Sequence, residues 1–453
     1  MGKNAKKSRF VFLFLIVFCA SRPADAQQIL HRFDGSQAGE LFGAVVASLG
    51  DLDGDGIPDI GVSAPLASGG NFPQGRVVVY SGAAGAPLFQ IDAYDPRGMC
   101  WAMASAGDLD GDGVPEILLG TPFSAPPIRG GARLEESPRG APLGLRFGAG
   151  RALVYSGNSR AVRFVFDGEQ DGAQLGHSVD GVGDISGDGV PDFIIGAPYA
   201  DPMGRTAAGS VFVRSGADGE VIFRLDGANS GDYLGWAVAG VGDLDGDGVP
   251  DLLISAPNAS PGGRHRAGSV YLRSGATGEL ILQLDGEEPE ATFGSTLAVA
   301  GDIDGDGVPD IIIGAPGARP NGRTRAGSVF VYSGATARLL FRFDGPESFD
   351  SLGDAVAGGA DVDGDGVPDV IIGAPSASPE GRVGAGSVFV FSGATGNLIF
   401  RFDGLARGDT LGSSVVAAGD LTGEGRSAVI VGSPYSRVGD LEGAGSVFVL
   451  SYP

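Results

Sequence analysis

The chain has 453 residues and a formal net charge of -24, and its 81 glycines and 28 prolines make about a quarter of it punctuation rather than regular structure. That density of breakers excludes long helices, and 43% hydrophobic against 19% charged residues excludes a disordered chain. A turn-dense, all-β globular protein remains.

The first 26 residues differ in kind from the rest. A basic stretch (Lys3, Lys6, Lys7, Arg9) precedes an apolar run from Phe10 to Ala20, and Ala24-Asp25-Ala26 supplies a small-residue cleavage signal. The expectation is a secretory signal peptide over residues 1–26, followed by one domain over 27–453, with the extracellular space or the periplasm as destination. The 11-residue apolar run is too short to cross a bilayer, and no later run reaches the roughly 18 residues needed, so no transmembrane segment is expected. Cys19 could point to a lipid anchor, but Phe18 stands where a small residue would be required, which favours free secretion. Cleavage would remove every lysine and leave Cys100 alone, so no intrachain disulfide is expected. The remaining chain carries 26 Arg against 54 acids, a net of -28.

One motif then appears seven times. It first reads Asp51-Leu-Asp53-Gly-Asp55-Gly-Ile-Pro-Asp59, and it recurs at Asp108, Asp184, Asp243, Asp302, Asp361 and Asp420. The intervals are 57, 76, 59, 59, 59 and 59 residues, so the long one marks an insertion of about 17 residues in the second unit, within Ala125 to Gly148. Each unit holds four short apolar runs bounded by Gly, Pro, Asp or Ser. In the fifth they are Thr296 to Ala300 (A), Asp310 to Ile313 (B), Ser328 to Tyr332 (C) and Leu339 to Phe343 (D). Such runs are strand-sized, and the turns between them fit antiparallel hairpins. Seven four-stranded units predict a seven-bladed β-propeller, since radial closure leaves only short edges exposed. The termini agree: Ile29-Leu30-His31-Arg32-Phe33-Asp34 is a D-type run without a unit, and the chain ends on a C-type run, Ser446 to Leu450. Pairing the two would complete the seventh blade and close the ring.

With Leu41-Phe42-Gly43 before the first acidic loop, and Phe293-Gly294 with Gly314-Ala315-Pro316 in the fifth unit, the chain resembles the FG-GAP repeat family, the propeller of integrin α subunits and its bacterial relatives. The resemblance covers residues 29–453.

The acidic loops place carboxylates at positions 1, 3, 5 and 9, with glycines at 4 and 6 for a sharp turn, and the position 7 carbonyl can add another oxygen. Such a set suits Ca2+, which accepts six to eight oxygens in flexible geometry. An EF-hand is ruled out because position 12 is Val62 or Leu119 rather than Glu, and the flanks are strand-like. The resemblance implies calcium at the same loops. Five loops carry the full set: Asp51, Asp53, Asp55 and Asp59; Asp108, Asp110, Asp112 and Glu116; Asp243, Asp245, Asp247 and Asp251; Asp302, Asp304, Asp306 and Asp310; Asp361, Asp363, Asp365 and Asp369. The third has Asp184, Asp188 and Asp192 with Ser186 at position 3, and should bind more weakly. The seventh keeps Asp420 and Glu424 but has Thr422 and Ala428, and is expected to be empty. The competing reading is of Asp-Gly turns without metal. The loops hold 25 of the 54 acids, so almost all the net charge is candidate ligand charge.

Strand alternation puts the acidic loops and the C–D turns on one face and the B–C and D–A loops on the other. The second face varies more. Its B–C loops carry Arg205, Arg264, Arg266, Arg319, Arg323, Arg325, Arg382 and Arg437, the insertion adds Arg129, Arg133, Arg139 and Arg146, and the D–A loops carry acids such as Glu169, Asp232, Glu287, Glu288 and Glu347. These arginines read either as local decoration paired to carboxylates or as an anion-recognising surface. In integrins the corresponding face is the ligand face.

Arg407-Gly408-Asp409 matches an integrin-recognised tripeptide, but Ser230-Gly231-Asp232 at the same repeat position makes Gly-Asp part of the repeat. Cys100 occupies the glycine of the Phe-Gly position and reads as an inert packed thiol. His31, His177 and His265 form no ligand pattern. No unit-specific cluster suggests catalysis. The expectation is a monomeric, secreted, calcium-stiffened, non-catalytic binding or adhesion scaffold. Its partner would be an extracellular protein or an acidic polysaccharide, and not nucleic acid, given the charge. The alternative is a carbohydrate-binding or polysaccharide-degrading propeller.

Overall fold

The structure, a computed structural model, describes residues 27–68, 75–92, 100–126 and 148–453. The proposed signal peptide and most of the second-blade insertion, with its four arginines, lie outside the described residues. Within them the chain forms seven four-stranded antiparallel sheets, each in the order A-B-C-D, set around a central axis as a seven-bladed propeller. Among the described residues no helix is long and apolar enough to cross a membrane.

The fifth blade shows why these residues make these strands. Strand A is Thr296–Gly301, B is Asp310–Ala315, C is Ser328–Tyr332 and D is Leu339–Asp344, each running one or two residues past the bounds read from sequence, except C, which coincides. Strand B is buried throughout because neighbouring blades cover both its faces, so it reads as an unbroken apolar run, Ile311-Ile312-Ile313. Strand C alternates, and the outer strand D exposes Leu339 and Arg342 while it buries Phe343. The core is built between blades. Ile312, Val329, Val331 and Phe343 of blade 5 pack against Val356, Val370, Ile372 and Phe389 of blade 6 in one apolar cluster. No blade can bury its faces alone, which ties stability to the closed ring.

Closure takes the form read from the termini. The N-terminal strand, Gln28–Asp34, pairs antiparallel with the C-terminal strand, Ser446–Ser451, setting Phe33 opposite Val447 and Asp34 opposite Ser446. The Ser446 hydroxyl donates to Asp34 Oδ1 at 2.7 Å, as Ser328 does to Asp344 inside blade 5. At the axis, the Ser414 hydroxyl of blade 7 donates to the Gly43 carbonyl of blade 1 at 2.9 Å, the bond that Ser178 makes to Gly235 between blades 3 and 4. The seam is therefore bonded like any other boundary between blades.

Candidate metal centres

Each acidic hairpin links strand A to strand B on one face of the ring. In blade 5 the turn passes through Gly305 (φ +78°) and Gly307 (φ +88°), left-handed backbone that glycine adopts without steric cost. The position 1 carboxylate organises the hairpin: Asp302 Oδ1 accepts from the backbone N–H of Gly305 at 2.7 Å and of Asp306 at 3.1 Å, and Oδ2 accepts from Gly307 at 2.9 Å. Asp306 in turn accepts from the Val308 N–H at 2.9 Å. The position 1 bonds recur at Asp51, Asp108, Asp184, Asp243, Asp361 and Asp420. At Asp51, burial acts to raise the carboxyl, but hydrogen bonds from Gly56, Gly54, Asp55 and Asp53 outweigh it and hold the group below its ordinary value.

Position 9 plays a different part, one that sequence reading missed by treating it only as a ligand. Asp310 is fully buried; its Oδ2 accepts from the Ile303 N–H at 2.8 Å and its Oδ1 from the Gly334 N–H of the C–D turn at 3.1 Å. Asp59, Asp192, Asp251 and Asp369 make the same pair of bonds. The available signal was the Ser-Gly that opens each C–D turn, whose N–H needs an acceptor. Burial, together with the charges of Asp53 and Asp55, raises Asp59 to about 6 against the hydrogen bonds from Leu52 and Gly82.

Three ligand atoms converge, all within 4.8 Å of one another, in five hairpins: Asp51, Asp53 and Asp59; Asp108, Asp110 and Glu116; Asp243, Asp245 and Asp251; Asp302, Asp304 and Asp306; Asp361, Asp363 and Asp365. The fourth expected acid of each, Asp55, Asp112, Asp247, Asp310 and Asp369, is not drawn into these sets. Among the described residues the third hairpin gathers no such triad, because Ser186 replaces the acid at position 3; Asp184, Asp188 and Asp192 stay engaged with backbone N–H groups. These five sets fit a hard divalent cation. All donors are oxygens, like charges are crowded, and Glu116 Oε1 is buried with no partner among the described residues, an orphan that a cation would satisfy. A bound Ca2+ would neutralise the converging carboxylates, while the chain's own N–H groups already hold the loop in shape.

The opposite face is less available to anions than its composition suggests. Arg205, Arg264, Arg323 and Arg382 each donate Nε to the carbonyl of the glycine after strand D, Gly227, Gly286, Gly345 and Gly404, at 2.9 to 3.1 Å. Arg266 reaches Asn258 and Glu290. Asp409 of the Arg-Gly-Asp tripeptide is 7% exposed and accepts from the Ala406 N–H at 2.7 Å, as Asp350 does from Glu347, so this acid staples a turn. Cys100 is fully buried at φ +44°, where the other units have glycine near +85°, and burial pushes its thiol up. The three histidines are apart: His265 meets Glu290, His177 meets Trp236, and His31 lies on the closing strand.

A family model described as FG-GAP repeat matches residues 42–80, 101–132, 175–213, 234–272, 293–332 and 352–391, together about half the chain. The chain belongs to the FG-GAP repeat family. These six FG-GAP segments span blades 1 to 6 from the Phe-Gly turn to strand C, apart from the second, which stops short of it. The chain is 36% identical over 218 residues to integrin alpha-V of Gallus gallus, covering 45% of this chain and 20% of that protein. It is 31% identical over 317 residues to integrin alpha-PS2 of Drosophila melanogaster, 62% of this chain and 21% of that one. It is also 36% identical over 165 residues to phosphatidylinositol-glycan-specific phospholipase D of Bos taurus, 33% of this chain and 19% of that one. This FG-GAP chain thus spans about a fifth of the length of the curated relatives it matches.

Proposed function

We propose that the protein is a secreted, calcium-stiffened binding scaffold that acts in adhesion or extracellular recognition and performs no chemistry of its own. The observation that carries the reading is the repeated convergence of carboxylates in hairpins whose backbone is already shaped by the position 1 acid. Five strong Ca2+ sites and a weaker third-loop site, with the seventh loop empty, would lock the A–B hairpins of the blades. The B–C and D–A loops would then form a rigid opposite face for a partner. The relatives named integrin lend support by family likeness, and the basic, apolar and small-residue order of residues 1–26 supports secretion. The non-catalytic reading is supported by the separation of the histidines and by the engagement of the D–A acids in turn hydrogen bonds.

Calorimetric titration of Ca2+ into chelator-stripped protein, with melting followed in parallel, tests the reading. Five or six sites and a large rise in melting temperature are expected. No heat and an unchanged melt would mean that the hairpins are turns without metal.

A further inference from the structure

On the face opposite the acidic hairpins, two repeat positions surround the mouth of the central channel. One is the residue after the glycine, Cys100 in blade 2, that precedes strand A; the other follows the proline just after strand B. Blades 1, 5, 6 and 7 hold Ala44, Ser295, Asp354 and Ser413 at the first position, whereas blades 2, 3 and 4 hold Trp101, His177 and Trp236. At the second position blades 2 and 3 add Phe123 and Tyr199, and the adjoining D–A turn of blade 4 adds Tyr233. An arc of six rings therefore occupies blades 2 to 4 of the rim, whereas blades 1, 5, 6 and 7 hold small or polar residues at the first position and Leu66, Gly317, Ser376 and Tyr435 at the second.

The rings pack in two groups, four across blades 3 and 4 and a pair in blade 2. His177 and Trp236 have centroids 4.5 Å apart, Tyr199 and Tyr233 4.8 Å, Tyr233 and Trp236 6.1 Å, and Trp101 meets Phe123 edge-on at 5.7 Å. His177 Nδ1 lies 3.1 Å from the Trp236 carbonyl, and burial holds this imidazole below its ordinary value despite that bond. A neutral ring donating from Nδ1 leaves Nε2 as an acceptor. Trp101 and Phe123 remain 37% and 41% exposed, and the other four rings are half-buried. The indole N–H groups, both phenol hydroxyls and His177 Nε2 have no hydrogen-bond partner among the described residues. The arc thus offers rigid flat apolar faces and unused, uncharged polar edges in two groups on adjacent blades.

We propose that this arc is a binding platform for a neutral saccharide chain, whose C–H faces stack on the rings while its hydroxyls bond the free N–H, O–H and Nε2 edges. The six side chains carry no charge at neutral pH, which matches an uncharged ligand, and a polyanion would meet a chain of net charge -24. The assignment rests on the scaffold reading, since it places the partner on the face which that reading leaves for recognition, and it replaces the loop arginines with aromatic stacking as the source of affinity.

Trp101 and Trp236 are the only two tryptophans in the protein, so intrinsic fluorescence reports directly on the arc. The full chain in calcium is titrated with neutral hexasaccharides of glucose, mannose, xylose and N-acetylglucosamine, with hexa-arginine peptide as a separate arm. At least one hexasaccharide should shift the emission saturably, and Trp236→Ala and Tyr199→Ala should each weaken it tenfold or more. Tyr199→Phe should weaken it less, because the ring remains. Should Trp236→Ala fail to fold, Phe123→Ala, at the most exposed of the six rings, carries the test together with Tyr199→Ala. Silence with every sugar, binding that survives Tyr199→Ala and Phe123→Ala unchanged, or a response to hexa-arginine alone would overturn the proposal. Calcium uptake measured on the same sample separates the two readings: normal uptake without sugar binding sinks only the platform, and absent uptake sinks the scaffold.

Discussion

The two faces of the ring are made by the same sevenfold repeat, yet they treat it differently. On the acidic face the chemistry itself repeats: position 1 draws in the same N–H groups in every hairpin, and position 9 pins the C–D glycine in five blades. On the opposite face only the skeleton repeats. The arginine-to-glycine-carbonyl bond recurs in blades 3 to 6, while the rim positions change from Trp101 and Trp236 to Ser295 and Asp354. The recurring bonds shape the hairpins of the ring, whereas the rim side chains differ from blade to blade.

Four experiments can break or sharpen that contrast. The largest effect is expected from deleting residues 28–34, which leaves blade 7 with three strands and removes the ladder to Ser446–Ser451. Cooperative melting should be lost, and a melt within a few degrees of the parent would show that the ring stands without its seam. Next, the two kinds of acid in one hairpin should separate. Asp310→Ala leaves the N–H groups of Ile303 and Gly334 unpaired and should cost about 3 kcal/mol in chelator as well as in calcium. Asp304→Ala should lower stability in calcium and leave a chelated sample nearly unchanged, and an equal loss in both media would mean that the fifth loop holds no metal.

A smaller effect concerns the channel. Asp180, on the innermost strand of blade 3, is pushed up to about 6 by burial, against hydrogen bonds from Gly240 and Gly181. A folded value above the unfolded one means that the folded state holds the extra proton between about pH 4 and 6, so stability from this group falls as pH rises through that window. Wild type should therefore gain on Asp180→Asn as the pH drops from 7 to 5 in thermal melts; parallel curves would refute the assignment. The smallest effect is expected from deleting residues 127–147. The Gly150 N–H to Ser124 carbonyl bond outside the deleted stretch stays in place, so the melting temperature should hardly move. A collapse on melting would make the insertion part of the ring.

Much of this was legible in the residues. The 59-residue period fixed the blade count, and Ile29 to Asp34 as an orphan D-type run told how the ring closes, because strand patterning is local and the repeat shows each signal several times. The position 1 acids and the glycines at 4 and 6 were equally plain. What escaped was whatever depends on a contact across the fold. Position 9 looked like a ligand alone until the C–D glycine came within reach of it, and the loop arginines, read as paired to carboxylates or as an anion-recognising surface, proved in blades 3 to 6 to bond glycine carbonyls 22 residues further on. The aromatic arc escaped for a related reason: Tyr199 and Trp236 are 37 residues apart in sequence, and only the ring brings blade 3 against blade 4.

The seam has one more consequence, for the order of folding. The strand that closes blade 7 precedes the other described strands in the chain and the three it joins follow them, so Phe33 must wait unpaired for Val447 while six blades assemble between them. The slowest step of folding should therefore be the joining of these two distant strands, and until it occurs the first and last blades each present a bare apolar flank to solvent.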